Sequence, residues 1–177
     1  VATWGNLAHR VLSFAHKHWE GVVPEPGELT AEDEAILETV RSGFESVAVE
    51  MEGVRLRAAL GEAMRLASEV NKYLDTQAPW KAVKTDKAAA GRTVFTAIQA
   101  INDLKTLFAP FLPFSSQTLH SNLGLEGTLF GTQSVEAVAD DLGEHNALRY
   151  HPESAIGRWE SQPVPAGHTF NTPTRLF

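Results

Sequence analysis

The sequence predicts an all-α protein, an antiparallel helical bundle of about five helices followed by an extended, largely irregular C-terminal strap. Three observations support this fold class. Apolar residues recur at spacings of three and four over most of the first 124 residues. Proline and glycine interrupt this periodicity where helices are expected to end. After Gly124 the apolar runs become short, and Gly, Thr, Pro and Asn become frequent.

The first helix is predicted over residues 3–18. Its apolar stripe has members four and three positions apart, namely Leu7, Val11 and Phe14. Asn6 and Arg10 are four positions apart, so they share one face of the helix, beside the apolar stripe. The segment that follows contains Pro24 and Pro26 and cannot continue the helix.

A second helix is predicted to begin after Thr30, which has the side chain of an N-cap. Three acidic residues follow in the first turn, where the helix dipole favours them: Glu32, Asp33 and Glu34. We expect this helix to run to Gly53, which ends or kinks it. A third helix is predicted over residues 54–75, ending before Ala78-Pro79, because proline disfavours helical geometry in the preceding residue.

A fourth helix is predicted over residues 87–108, with Thr85 and Asp86 as candidate caps. A short fifth helix is predicted over residues 114–122. The bundle is therefore assigned to residues 1–124. Residues 125–177 are assigned to an extension that packs on the bundle without a core of its own. Within it, residues 147–150 are compatible either with a brief paired strand or with extended chain that wraps the bundle.

Composition limits the possible partners. The formal net charge of −7 argues against broad, sequence-blind nucleic-acid binding, which requires a basic face. A local excess of basic residues in 72–92 is either an ordinary fluctuation on a solvated helix or a local basic rim. The sequence contains no cysteine, which excludes disulfides and thiolate metal sites. The lack of cysteine fits a reducing cytoplasm, the compartment that we expect. No apolar run is long enough to span a membrane, so we expect no membrane partner.

No arrangement of residues predicts catalysis. His16 and His18 are two positions apart on a helix and point in nearly opposite directions, so they cannot chelate one ion. The sequence has no glycine-rich phosphate loop and no nucleophile elbow. Its many carboxylates do not single out a pair for acid–base chemistry. We therefore expect a binding or structural domain, with no catalytic residue, no metal and no cofactor of its own.

The most informative segment runs from Asn71 to Lys84. A predicted helix ends within it, Pro79 fixes the local backbone, and Trp80 follows, with Lys81 and Lys84 close behind. A fixed, exposed indole flanked by ammonium groups is suited to stacking on an unpaired nucleic-acid base. The alternative is that Trp80 closes the end of the bundle as a packing residue.

This segment also carries a resemblance to a known family. Asn71-x-Tyr73 followed by Ala78-Pro79-Trp80 is similar to the anticodon-binding domain of methionyl-tRNA synthetases of the bacterial cytoplasmic type. The segment from Asn6 to Arg10 resembles the Asn-x-x-x-Arg pair on the first helix of that domain. Residues 107–124 resemble its late-helix signature, Leu-Phe-Ala-Pro-Phe-Leu-Pro-Phe-Ser-Ser with Leu-His and Leu-Gly after it. The order and spacing of all three agree, and together they cover about residues 1–125.

The resemblance implies specific roles. In the family, the tryptophan of the Pro-Trp motif and the asparagine and arginine of the first helix contact the anticodon, chiefly the cytosine of CAU. These correspond to Trp80, Asn6 and Arg10. An amide offers a donor and an acceptor to a base edge, and a guanidinium offers a donor fork and a plane for stacking. Pro79, Asn71, Lys81 and Lys84 are expected to support them. The implied partner is the anticodon loop of methionine tRNA.

The catalytic signatures of the family, similar to His-Ile-Gly-His and Lys-Met-Ser-Lys-Ser, are absent from these residues, as are its zinc-binding cysteines. We therefore expect this chain alone to lack ligase activity. ATP, methionine and Mg²⁺ would be used by a parent synthetase, whose catalytic domain would be a second partner. The start at Val1 rather than Met favours a piece of a synthetase over a free-standing paralogue.

Two alternatives remain open at this point. One is a non-catalytic paralogue that acts as a protein-interaction or scaffold bundle. The other is the anticodon-binding domain of a neighbouring class I synthetase for an aliphatic amino acid, against which the Pro-Trp motif argues. The anticodon hypothesis requires Trp80, Asn6 and Arg10 to lie on one surface, whereas the scaffold hypothesis does not.

Overall fold

The computed structural model of the protein describes residues 2–141 and 143–177. A helical bundle is followed by a β-hairpin and an extended terminal segment. The helices are α1 (Ala2–Trp19), α2 (Ala31–Arg41), α3 (Gly43–Glu52), α4 (Leu56–Gln77), α5 (Pro79–Ala82), α6 (Lys87–Phe108) and α7 (Pro113–Asn122). The strands are β1 (Thr132–Asp140) and β2 (Gly143–His151), and a 3₁₀ turn covers Pro152–Ser154. Within the described ranges, no helix is both long and apolar enough to cross a membrane.

Helix α6 lies at the centre of the bundle. It contacts α1, α2, α3, α4, α5 and α7, and most of its side chains are buried. One hydrophobic core surrounds it, to which α1 contributes Trp4, stacked on Phe108 with ring centroids 4.8 Å apart. The three–four periodicity of the sequence therefore did identify the buried faces of the long helices.

The helix starts follow the capping residues. Thr30 accepts a hydrogen bond from the backbone N–H of Asp33, whose carboxylate in turn accepts from the backbone of Thr30, which forms a capping box. Asp86 caps α6 by accepting from the backbone N–H of Ala89 at 2.9 Å. Thr85 does not cap this helix, and its hydroxyl instead donates to the carbonyl of Ala82.

The single helix predicted from Thr30 to Gly53 is wrong, because the structure divides it at Ser42 into α2 and α3. Gly43 follows this break and lies close to two other helices. A Cβ atom at this position would lie 2.8 Å from Cδ1 of Leu107 and would also collide with Leu66. The backbone of α3 therefore approaches α4 and α6 more closely than any side chain would allow.

The purely all-α fold class also requires correction, because β1 and β2 form an antiparallel two-stranded sheet. Residues 132–151 are thus not irregular, and residues 147–150 belong to β2. In the described part of both strands every residue is exposed or half-buried. A hairpin with solvent on both faces needs no regular alternation of apolar and polar residues. The sequence therefore contained only a weak strand signal.

The end of the chain is held on the bundle by amide side chains. The Gln99 side chain donates to the carbonyl of Val164 at 2.7 Å and accepts from its N–H at 2.9 Å. Asn102 donates to the carbonyl of Gln162 at 2.5 Å. Asn122 likewise donates to the carbonyl of Thr174 at 2.9 Å. Side chains of α6 and α7 thus provide hydrogen bonds to the extended backbone that a neighbouring strand would otherwise provide.

The extended segment also contributes to the core. Three of its side chains are buried in the same hydrophobic cluster as the helices: Val164, Phe170 and Leu176. Trp159 is 38% exposed, but its ring lies edge-on to Phe44 and its indole N–H donates to the Phe44 carbonyl at 2.8 Å. The proposed division of the chain at residue 124 stays a prediction.

Replacing Gln99 with leucine is expected to lower the free energy of unfolding by about 1–3 kcal/mol. Leucine has similar volume but leaves the buried N–H and C=O of Val164 without partners, and desolvation of an unsatisfied group costs this much. Urea denaturation followed by circular dichroism measures the change. The matched control is Gln133→Leu, at an exposed position of β1, for which we expect little change. Equal effects of both substitutions would contradict the assigned role of Gln99.

Candidate nucleic-acid interface

A polar surface forms where α1 packs against α4. Asn6 and Arg10 come from α1, where both are exposed, and Asn71 and Asp75 come from α4. Each pair is four positions apart in the sequence, so each lies on one helical face. Because the two helices contact each other, the two polar faces meet along their seam.

Arg10 is the centre of this surface. Its Nη2 donates to Oδ1 of Asn71 at 3.0 Å, and its Nη1 donates to Oδ1 of Asp75 at 3.3 Å. Nδ2 of Asn71 donates to the backbone carbonyl of Ala67 at 3.0 Å, which leaves the amide oxygen directed at Arg10. The guanidinium carbon lies 5.3 Å from the ring centroid of Trp80. Arg10 is therefore held by two side chains on one face of α4 and lies over an indole face.

A left-handed turn places Trp80 beneath Arg10. Helix α4 ends at Gln77, and Ala78 adopts φ 44° and ψ 57° before Pro79 starts α5. A non-glycine residue in this region costs roughly 1–2 kcal/mol, which the surrounding structure must offset. Pro79 is buried, and the N–H of Lys81 donates to the carbonyl of Ala78 at 2.8 Å. The turn reverses the chain so that α5 packs on α6.

Trp80 differs from the exposed indole that the sequence predicted. It is half-buried and packs against the hydrophobic core. A small apolar space beside it is lined by residues of α1, α4, α5 and α6, among them Phe14, Leu74 and Val94. The guanidinium of Arg10 covers part of the ring that was expected to be free. Arg10 and Trp80 therefore form one stacked unit, and a base has the guanidinium plane as well as the indole available for stacking.

An open depression of about 480 Å³ lies beside this unit. Its volume falls within the roughly 300–1,000 Å³ typical of small-molecule pockets. The depression is lined by polar groups of α1 and α4: Thr3, Asn6, Arg10, Ser68, Asn71 and Lys72. Asn6 and Arg10 consequently border one space, and Trp80 adjoins it only through its contact with Arg10.

Some basic side chains of the predicted rim are already paired with carboxylates. Arg92 pairs with the buried Asp33 at 3.0 Å, and Lys72 pairs with Glu69 at 2.8 Å. Lys81 and Lys84 are exposed near α5, and within residues 2–141 and 143–177 neither takes part in a salt bridge. The rim near Trp80 therefore consists of these two ammonium groups.

Sequence reasoning missed Asp75 and Ser68, which lie on the same surface. A signal was present, because Ser68, Asn71 and Asp75 are spaced by three and four and form a polar stripe on α4. The contact of Asp75 with Arg10 could not be read from spacing, because the two residues are 65 positions apart.

The fold and this surface define a helical binding domain with amide, guanidinium and indole groups at one seam. A family model described as the anticodon binding domain of methionyl tRNA ligase matches residues 23–156. The chain therefore belongs to the family of anticodon-binding domains of methionyl-tRNA ligases. The resemblance seen in the sequence is confirmed, and the match is to the methionyl family and not to a neighbouring class I synthetase.

Relatives with the same assignment match the whole chain. The methionine–tRNA ligase of Thermomicrobium roseum is 44% identical over 179 residues, and that of Roseiflexus castenholzii is 46% identical over 178. In both cases the match covers 100% of this chain and 30% of the relative. The crystal structure of apo methionyl-tRNA synthetase from Mycobacterium tuberculosis superposes with a TM-score of 0.76 at 25% identity. That match covers 100% of this chain and 32% of the other.

Proposed function

We propose that this chain, as part of a methionine–tRNA ligase, recognises the anticodon loop of a methionine-accepting tRNA. The anticodon in that loop is CAU. The observation that carries the proposal is the joint placement of Asn6, Arg10 and Trp80. Asn6 and Arg10 border one open depression, Trp80 lies against the guanidinium of Arg10, and Asn71 orients that guanidinium.

Each group has a distinct task in this proposal. A splayed anticodon base stacks on the Arg10–Trp80 unit. Asn6 offers a donor and an acceptor to the edge of that base. Pro79 and Asn71 position the unit, and the ammonium groups of Lys81 and Lys84 lie close enough to the turn to attract the phosphates of the loop. Readout of single-stranded bases suits a chain of net charge −7 better than contact along a whole RNA backbone does.

The chain spans 30% of the length of the curated relatives it matches. Aminoacylation is therefore assigned to a larger parent ligase. Its catalytic domain, which lies outside these residues, would use ATP, methionine and Mg²⁺. The chain itself contributes tRNA recognition and no cofactor site. The cytoplasm is the compartment in which such a ligase meets its tRNA.

Asn6→Ala tests the base-edge contact. In the intact ligase we expect this substitution to reduce the preference for a CAU stem–loop over one whose first anticodon base is uridine. The reduction should be about 1 kcal/mol, the usual net contribution of a hydrogen bond. Fluorescence anisotropy with both RNAs, at one fixed salt concentration, gives the two dissociation constants.

The matched control is Asn146→Ala, at an exposed asparagine of β2. This substitution should leave the affinity for both RNAs unchanged. If wild-type ligase binds the two stem–loops equally well, the anticodon assignment fails, and a scaffold bundle that has lost RNA binding becomes the better explanation.

A further inference from the structure

A partly open cavity lies where the end of α6 meets the segments on either side of the hairpin. Its volume is about 230 Å³. A cavity of roughly 150 Å³ is enough to hold benzene, so this one has room for an aromatic ring with a short substituent. We call it the α6 cavity and define it by six of its lining residues: Lys105, Pro110, Leu129, Phe130, Arg158 and Trp159.

Hydrogen bonds between segments hold the walls of the α6 cavity in place. The N–H of Leu129 donates to Oε1 of Gln117 at 2.8 Å, and the N–H of Gly157 donates to the carbonyl of Leu129 at 3.2 Å. Gln162, which also lines the cavity, is held on α6 by the side chain of Asn102. The cavity is therefore formed by segments that are fixed relative to one another before any ligand binds.

Lys105 is a buried lysine whose two hydrogen-bond partners are uncharged. The residue is 4% exposed, and its Nζ donates to Oδ1 of Asn102 at 2.7 Å. Nζ also lies 3.3 Å from Nδ1 of His120. Nε2 of His120 lies 3.0 Å from the carbonyl of Glu126, so Nε2 carries the hydrogen and Nδ1 accepts from Lys105. Burial lowers the pKa of His120 from its usual 6.5, which keeps the ring neutral at pH 7.

The positive charge of Lys105 has no ionic partner within residues 2–141 and 143–177, because none of their salt bridges includes it. Asp103 lies two positions away on α6, and its carboxylate accepts from the hydroxyl of Ser161 at 2.8 Å instead. Burial lowers the pKa of Lys105 to about 8, although the charge of Asp103 acts in the opposite direction. An ammonium has three N–H donors, and a buried charge is costly unless a counter-ion pairs with it. A carboxylate in the adjoining cavity would complete this group.

The lining of the α6 cavity adds a second cation to Lys105. Nη1 of Arg158 donates to the carbonyls of Gly157 at 2.8 Å and Ala155 at 3.3 Å, and no salt bridge in the described part of the chain includes Arg158. Among the described residues that line the cavity, none is Asp or Glu. Aromatic and aliphatic side chains complete the wall: Pro110, Leu129, Phe130 and Trp159. The complementary ligand therefore has one anionic group and an apolar body.

We propose that the α6 cavity binds a small aromatic monocarboxylate, whose anion pairs with Lys105 and whose ring packs against Phe130 and Trp159. A phosphate ester fits less well, because the apolar wall offers few donors to its additional oxygens. The ligand contacts α6 on one side and residues 157–162 on the other, so its binding stabilises the terminal segment on the bundle. The cavity shares no lining residue with the depression beside Arg10, and the proposal is therefore independent of RNA recognition.

Titration of the intact ligase with para-fluorophenylacetate, observed by fluorine NMR, tests the cavity. The neutral comparison is para-fluorophenylacetamide, which has nearly the same shape. We expect the acid to bind about tenfold or more tightly than the amide, since hydrogen bonds to charged groups contribute this much. Lys105→Met removes the charge but keeps a long side chain, and it should lower the affinity for the acid to that for the amide. The matched control is Lys17→Met, at an exposed lysine of α1, which should change neither affinity.

A second variant keeps the test available if circular dichroism shows that Lys105→Met does not fold. Ala109 lines the cavity, so Ala109→Met fills part of it without touching a charge and should weaken binding of the acid and the amide alike. The proposal is overturned if the acid does not bind at millimolar concentration, or if the wild-type ligase binds acid and amide equally well. Acid binding that survives both substitutions in folded protein belongs to another site of the ligase and overturns it as well.

Discussion

Replacing Trp80 with alanine in the intact ligase is expected to weaken binding of a CAU stem–loop by roughly 1–3 kcal/mol, up to about a hundredfold in affinity. This is the usual cost of losing one base–aromatic stack. The structure adds a second reason, because the guanidinium carbon of Arg10 lies 5.3 Å from the centroid of the indole and so has the ring as one of its contacts. Without the ring, Arg10 keeps only its contacts with Asn71 and Asp75. The preference for cytosine at the first anticodon position should shrink as well.

The control for this substitution is Trp159→Ala. Trp159 is also a partly exposed tryptophan with a ring contact, but it lies against Phe44, and neither residue lines the proposed RNA surface. We expect it to affect stability but not RNA affinity. Trp80→Phe should retain part of the stack and give an intermediate affinity. Unchanged aminoacylation and unchanged anticodon preference in Trp80→Ala would remove Trp80 from the proposed site, provided that circular dichroism shows a folded bundle.

Replacing Asp33 with alanine is expected to lower the free energy of unfolding by about 3–5 kcal/mol, the usual cost of removing one partner of a buried ion pair. Asp33 is 1% exposed. Its carboxylate accepts from the backbone N–H and the hydroxyl of Thr30, both at 2.9 Å, and from the hydroxyl of Tyr73. It also pairs with Nε of Arg92 at 3.0 Å. The substitution leaves the Arg92 charge and the Tyr73 hydroxyl without their partner.

An exposed acid provides the comparison for Asp33. The side chain of Asp75 is 65% exposed and pairs with Arg10 at 3.3 Å. Surface pairs of this kind contribute about 0–1 kcal/mol, so Asp75→Ala should change the free energy of unfolding little. Guanidinium denaturation of both variants makes the comparison. Similar losses from the two substitutions would show that burial of the Asp33 cluster does not carry the stability assigned to it.

The same cluster predicts the acid limit of the fold. Burial opposes ionisation of Asp33, but hydrogen bonds from Tyr73 and Thr30 and the charge of Arg92 outweigh it and lower the pKa below 3.8. A carboxyl with a lowered pKa in the folded state contributes stability above its unfolded pKa. That contribution is lost as the pH falls through the folded pKa. Asp33 therefore supports the bundle at neutral pH, and its contribution is lost at a lower pH than that at which an ordinary aspartate is protonated.

Helix ends were predictable from the sequence because their signals are local. The proline of Ala78-Pro79 and the cap of Asp86 each act within a few residues, and the structure ends α4 and starts α6 at those positions. The break between α2 and α3 was not predictable. Leu66 and Leu107 approach Gly43 from other helices beside the break, and no local pattern reports such an approach.

The candidate site was predictable as a set of residues but not as an arrangement. Spacing placed Asn6 and Arg10 on one face, and the Pro-Trp motif identified Trp80. The contact between Arg10 and Trp80 joins residues of the first and fifth helices, so it depends on how α1, α4 and α5 pack together. For the same reason Asp33 was recognised as a first-turn acid and not as the buried partner of Arg92.

The amide-held terminal segment has a consequence for the order of folding. The contact of Gln99 with Val164 closes a loop of 65 residues, and that of Asn122 with Thr174 closes one of 52. The backbone hydrogen bonds within each helix close only a few residues and form far sooner. The segment can bind only after α6 and α7 have packed and presented their amides. We therefore expect the terminal segment to join the bundle late in folding and to be among the first elements released when the bundle unfolds.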